Sequence, residues 1–76
     1  MNKERRKLLA EAKVKIEEAQ SMVRQAADEE QEYFDNMAEN LQGGDKGSKA
    51  EEVANNLDEY ANSLEELAQN LEGIED

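Results

Sequence analysis

Residues 50–74 read Ala50-Glu51-Glu52-Val53-Ala54-Asn55-Asn56-Leu57-Asp58-Glu59-Tyr60-Ala61-Asn62-Ser63-Leu64-Glu65-Glu66-Leu67-Ala68-Gln69-Asn70-Leu71-Glu72-Gly73-Ile74. Eight apolar or aromatic side chains recur in alternating steps of three and four: Ala50, Val53, Leu57, Tyr60, Leu64, Leu67, Leu71 and Ile74. That spacing gathers them on one side of an amphipathic helix and gives it a coiled-coil-like seam. Ala54, Ala61 and Ala68 widen the stripe by one position per heptad. Just upstream, Ser48-Lys49-Ala50-Glu51 has the form of a capping box, with Ser48 as N-cap, Glu51 at N3 and Gly47 supplying free backbone before it. Gly73 is placed to stop the helix. The pattern predicts a helix over about 48–73.

The first half repeats the spacing through Leu9, Ala12, Ile16, Ala19, Val23, Ala26, Glu30, Tyr33 and Met37, with Glu30 the one break in the seam. Leu8, Val14, Met22, Ala27, Phe34 and Leu41 lie off this line and suggest a second, weaker apolar face. Asp35, Asn36 and Asn40 are poor interior helix residues, so the helix is expected to run over about 3–35 and to break or fray before 42. The chain has no Pro, and its internal Gly cluster is Gln42-Gly43-Gly44-Asp45-Lys46-Gly47-Ser48, which reads as a loop. An elbow at about 36–47 therefore joins a helix of ~50 Å to one of ~39 Å.

The expected fold is all-α: one antiparallel two-helix hairpin spanning 1–76. A lone hairpin of 76 residues buries little, and chains this small usually need a staple or a partner. There is no Cys to supply disulfides. Self-association into a homodimeric four-helix bundle is the expected remedy, with the second face on the first helix as its contact. The plainer alternative is that this face only touches the elbow.

Composition excludes several chemistries. With neither Cys nor His, the usual ligands of zinc, haem and iron–sulfur clusters are missing, as is the commonest general base near neutral pH. The paired acids at 51/52, 58/59 and 65/66 are neighbours in sequence, and adjacent residues on a helix do not face one another. Gly43-Gly44-Asp45-Lys46-Gly47-Ser48 lacks the spacing of a phosphate loop and the alternating acids of a calcium loop. We expect no catalytic residues, no metal, no cofactor and no enzymatic activity. Lys3, Arg5, Arg6 and Lys7 precede only Leu8, Leu9 and Ala10 before Glu11, too short for the core of a signal peptide. No apolar run approaches a membrane span. The expected setting is the cytoplasm, without a membrane.

Charge is segregated. Residues 1–24 carry seven basic and four acidic side chains, net +3, and residues 25–76 carry two basic and sixteen acidic, net −14. Glu51-Glu52, Asp58-Glu59 and Glu65-Glu66 repeat every seven residues on the outward side of the second helix, and Glu72 continues the series. They form a ridge of negative pairs about 10 Å apart. On the plainer reading this is a solvated face, with Lys3, Arg5, Arg6 and Lys7 lying beside Glu65, Glu66, Glu72, Glu75 and Asp76 and setting the orientation of the pair. On the functional reading the ridge meets a basic protein surface and competes there with nucleic acid. Direct binding of nucleic acid is not expected at a net charge of −11.

The elbow, Asp28-Glu29-Glu30-Gln31-Glu32-Tyr33-Phe34-Asp35-Asn36-Met37-Ala38-Glu39-Asn40-Leu41-Gln42-Gly43, is the other candidate. Its plainer reading is packing by Phe34, Met37 and Leu41, with side-chain amides bonded to loop backbone. Its sharper reading is a pocket for a nucleotide-like small molecule, with Tyr33 stacking on a ring and Asn36, Asn40 and Gln42 reading its edges. This segment, with Lys46-Gly47 and the acidic Ala/Leu-rich helix after it, resembles a group of small uncharacterised helical proteins encoded by bacteriophages and prophages. Members of that group carry Pro where this chain has Ala38. The resemblance implies a phage setting inside a bacterial host cell and assigns no activity.

Two function classes follow as expectations. In the first, a small acidic protein binds and modulates a host protein of basic surface, as a nucleic-acid mimic, through Glu51, Glu52, Asp58, Glu59, Glu65 and Glu66. In the second, the elbow sequesters a small molecule through Tyr33, Asn36, Asn40 and Gln42. A purely structural bundle is the third possibility.

Overall fold

The computed structural model describes residues 2–74. Helix α1 spans Lys3–Asp35, a four-residue helix α2 spans Glu39–Gln42, and α3 spans Asp45–Glu72. The described chain is helical apart from its ends and two short junctions. Helices α1 and α3 pack side by side and run antiparallel: Lys13 Nζ lies 3.4 Å from Glu72 Oε2, and eleven residues on, Arg24 Nη2 lies 3.3 Å from Glu65 Oε2 and 2.9 Å from Asn62 Oδ1. The result is a rod of 58 × 14 × 12 Å. Its radius of gyration is 17.3 Å, against roughly 11 Å for a compact domain of this length.

The rod is narrow because its deepest residues are small. Among the described residues, Ala27, Ala50, Ala54, Ala61 and Ala68 are the buried apolar residues, joined by Gly47, and no large side chain is fully buried. Alanine lets two helix backbones approach closely, while Leu9, Ile16, Val23, Leu57, Leu64 and Leu71 close the edges half-buried.

Both seams lie slightly round from the lines read off the sequence. In α1 the inward residues are Leu9, Ala12, Ile16, Ala19 and Val23, but the line continues through Ala27, Glu30, Phe34 and Met37. Ala26 and Tyr33 are exposed, and Ala27 and Phe34 belong to the seam rather than to a second face. In α3, Ala54, Ala61 and Ala68 are the inward residues, while Tyr60, Leu67 and Ile74 stand outside. In α1 the cause is geometric: a straight helix has 3.6 residues per turn, so a strict seven-residue repeat falls behind by about 20° per heptad, and the line shifts by one residue after Val23. In α3 the inward line Ala50, Ala54, Leu57, Ala61, Leu64, Ala68 and Leu71 keeps its seven-residue spacing throughout, and the small alanines take the close contact in place of Tyr60 and Leu67.

The ends depart from local signals too. Asn2 caps α1, its Oδ1 accepting the Arg5 N–H at 2.8 Å. Helix α3 begins at Asp45 with Gly44 as N-cap, so Ser48 lies within the first turns and is not the cap. Gly47 is helical, and it is needed for space rather than for freedom. A Cβ there would overlap the backbone of Gln42, with the Gln42 Cα and carbonyl carbon 2.5 Å away. This contact seats α3 directly on α2 and draws its start back by a turn. Gly73 ends α3, its N–H donating to Gln69 O and Leu71 O.

The junction between α1 and α2 holds Ala38 at φ −60°, ψ 145°. That φ is the value a proline ring imposes. The Ala38 N–H has no bonded partner among the described residues, while its carbonyl accepts from Leu41 and Gln42. Ala38→Pro should therefore stabilise the chain by about 0.4–1 kcal/mol, by restricting the unfolded state. Thermal melts of both proteins at one concentration check this; a loss of more than 1 kcal/mol would show that the junction needs that N–H.

Candidate acidic ridge and elbow

The six ridge carboxylates divide into two rows. Taking Ala61 as facing α1, a step of about 100° per residue turns Glu52, Glu59 and Glu66 to the back of α3. Glu51, Asp58 and Glu65 fall on one flank. All six are exposed. Among the described residues only Glu65 is ion-paired, to Arg24. Six charges along residues 51–66 give about one per 4 Å of axis, close to the 3.4 Å per charge of a single DNA strand. No Lys or Arg follows Lys49 in the chain.

Of the contacts expected between the basic start of α1 and the acidic end of α3, the described residues show Arg6 and Glu72 lining one cavity. Glu72 meets Lys13 and Glu65 meets Arg24. Lys3, Arg5 and Lys7 sit six to ten residues before Lys13, which is about 9–15 Å further along the axis. The elbow sets the register through Gly47 and Gln42, so the length mismatch between α1 and α3 emerges as an overhang at the open end. Glu75 and Asp76, also expected there, lie outside the described residues.

At the elbow, Tyr33 is 52% exposed, and Asn36 and Asn40 are exposed as well. Gln42 is half-buried, and its Nε2 donates to Phe34 O at 3.0 Å. Phe34 O also accepts from the Met37 N–H, so Gln42 completes the cap on an α1 terminus that has no basic residue in its last turn. Of the three amides, then, Gln42 serves the backbone, while Asn36 and Asn40 face water. A cavity of about 330 Å³ lies at the far end of the rod, between Arg6, Leu9, Lys13, Leu71 and Ile74.

Among the described residues no three acidic side chains converge as a metal site would require, and no helix is long and apolar enough to cross a membrane. No family model, curated protein sequence or solved structure matches this chain.

Proposed function

We propose that this protein is a small acidic interaction protein of phage type. It acts in the cytoplasm of a bacterial host cell, as a binding protein rather than an enzyme, by occupying a basic, nucleic-acid-binding surface of a host protein. The supporting observation is the ridge: six exposed carboxylates on one helix, in pairs about 10 Å apart, with Arg24 the one cation bonded to them among the described residues. A rigid array of this kind raises the on-rate for a basic partner and makes binding steeply salt-dependent. The hairpin works as part of a self-associated four-helix bundle, since the only apolar side chains it fully buries, among the described residues, are alanines.

The test is capture from bacterial lysate with tagged protein, comparing the wild type with the triple variant Glu52→Lys, Glu59→Lys, Glu66→Lys. These three face away from α1, so the helical signal should be unchanged. The wild type should retain a basic partner at low salt and release it at high salt or on adding duplex DNA, and the variant should lose more than tenfold in retention. A partner held equally by the reversed ridge would overturn the reading.

A further inference from the structure

Six of the eight exposed large apolar residues share one flank of the rod: Leu8, Met22 and Tyr33 on α1, and Tyr60, Leu67 and Ile74 on α3. Their exposures run from 46% to 71%. In an antiparallel pair, residues turned the same way from each seam fall on the same side, and these six are turned away from the flank that carries Arg24 and Glu65. From Val53 to Ile74 this side of α3 has only Asn56, Ser63 and Asn70 between its apolar residues, and no charge.

We infer that a second copy of this chain docks on this flank, antiparallel, about a two-fold axis passing near Met22 and Ser63. The inference rests on the self-association proposed above and adds its surface and its symmetry. Area supports a second copy as the occupant. The chain exposes 5873 Å², whereas a compact protein of 8.6 kDa exposes about 4,700 Å². The excess, about 1,200 Å², exceeds the ~800 Å² that each partner removes in a standard interface.

Symmetry supports the orientation. Residues equidistant from the axis meet across it. Met22 then falls on its own copy, Tyr33 beside Glu11 of the partner subunit, Leu8 beside Asn36 of the partner subunit, Tyr60 near Leu67 of the partner subunit, and Val53 near Ile74 of the partner subunit. Lys15 and Glu29, which share this side of α1, stand seven residues either side of Met22, so each meets the other across the axis. A parallel pairing would leave Leu8 beyond the end of the opposing α3. The antiparallel one also sets the basic first turns of α1 against the acidic elbow end of the other copy. Both ridges remain outward.

Sedimentation velocity across a concentration series decides the matter. The wild type should reach about twice 8.6 kDa, and Tyr60→Glu with Leu67→Glu should give a helical monomer. Lys15→Glu should weaken the dimer roughly tenfold by setting like charges together at two symmetric places, and adding Glu29→Lys should restore it. Within one chain those residues are about 21 Å apart, so rescue is possible only between copies. A wild type that stays monomeric throughout overturns self-association itself. A dimer indifferent to Tyr60→Glu and Leu67→Glu overturns the flank. Failure of the double swap to restore overturns the antiparallel axis, and that arm holds even where the Glu variants fail to fold.

Discussion

Gly47→Ala should lower the melting temperature by about 10 °C. In an ordinary helix interior, alanine is favoured over glycine by about 1 kcal/mol, so the expected sign is inverted here. The added Cβ would overlap the Gln42 backbone. Backbone cannot swing aside as a flexible side chain does, so α3 must lift off α2, and the Gln42 cap on Phe34 O moves with it. Overpacking of this kind costs 1–3 kcal/mol or more, and a net loss of about 2 kcal/mol shifts a chain of this size by roughly 8–16 °C. Gly43→Ala is the control. Gly43 has φ −82° and nothing within 4 Å of its Cβ site, so that change should be neutral or stabilising by up to about 1 kcal/mol. Equal melts for the two variants would mean that α2 does not seat α3 as described.

Ala61→Asp should be more damaging still, and its damage should depend on pH. Ala61 is 0% exposed, at the centre of the α3 seam. A carboxylate there would be stripped of water between two helices, and the nearest cation, Arg24, is already bonded to Asn62 and Glu65 on the flank. Burial disfavours the charged form, so the folded-state pKa of the new group would rise above its unfolded value. A raised carboxylate pKa means that the folded state holds the proton more tightly. The penalty is then full above the folded pKa and shrinks as pH falls through it. At pH 7 the loss should be about 3 kcal/mol or more, enough to unfold a chain with so small a core. The gap between variant and wild type should narrow on lowering the pH towards 4. Asn62→Asp, one residue round, should be neutral or slightly favourable, because that side chain already accepts from Arg24. Guanidinium titrations at two pH values measure both. A gap that stays constant with pH would place residue 61 in contact with water.

The helices were legible in the sequence because their signals are local. Strong helix formers, steps of three and four, and the absence of Pro outside and inside the periodic stretches lead directly to α1 and α3. The break after Asp35 was legible in its Asp and Asn residues. Asn2, which the sequence reading passed over, caps α1 through its bond from the Arg5 N–H, and the preference for Asn at that position was the signal that could have found it. The capping box at Ser48 misled because it is a local pattern overridden by a contact between helices. Nothing within Ser48–Glu51 reports that Gly47 must lie on Gln42.

The candidate site was legible in part. That the acidic pairs lie away from the seam follows from their heptad spacing alone. Which of them meets a cation does not, because the overhang of α1 decides that, and the overhang is set at the elbow. The elbow amides looked equivalent in sequence. Only the path of the chain through α2 brings Gln42 back to the last turn of α1 and leaves Asn36 and Asn40 in water.

By itself, then, the sequence determined the helical class, the segregation of charge, and a pair of apolar stripes wider than one helix contact can cover. The tertiary structure decided which part of each stripe turns inward. Small alanines permit the closest approach and take the seam, while Tyr60, Leu67, Ile74 and Tyr33, too bulky for that narrow contact, are left along one flank. The physical reason is that periodicity leaves two neighbouring lines of α3 equivalent, and close packing against α1 selects the one made of small side chains. In α1 the mismatch between a 3.5-residue pattern and a 3.6-residue helix adds a shift of one residue.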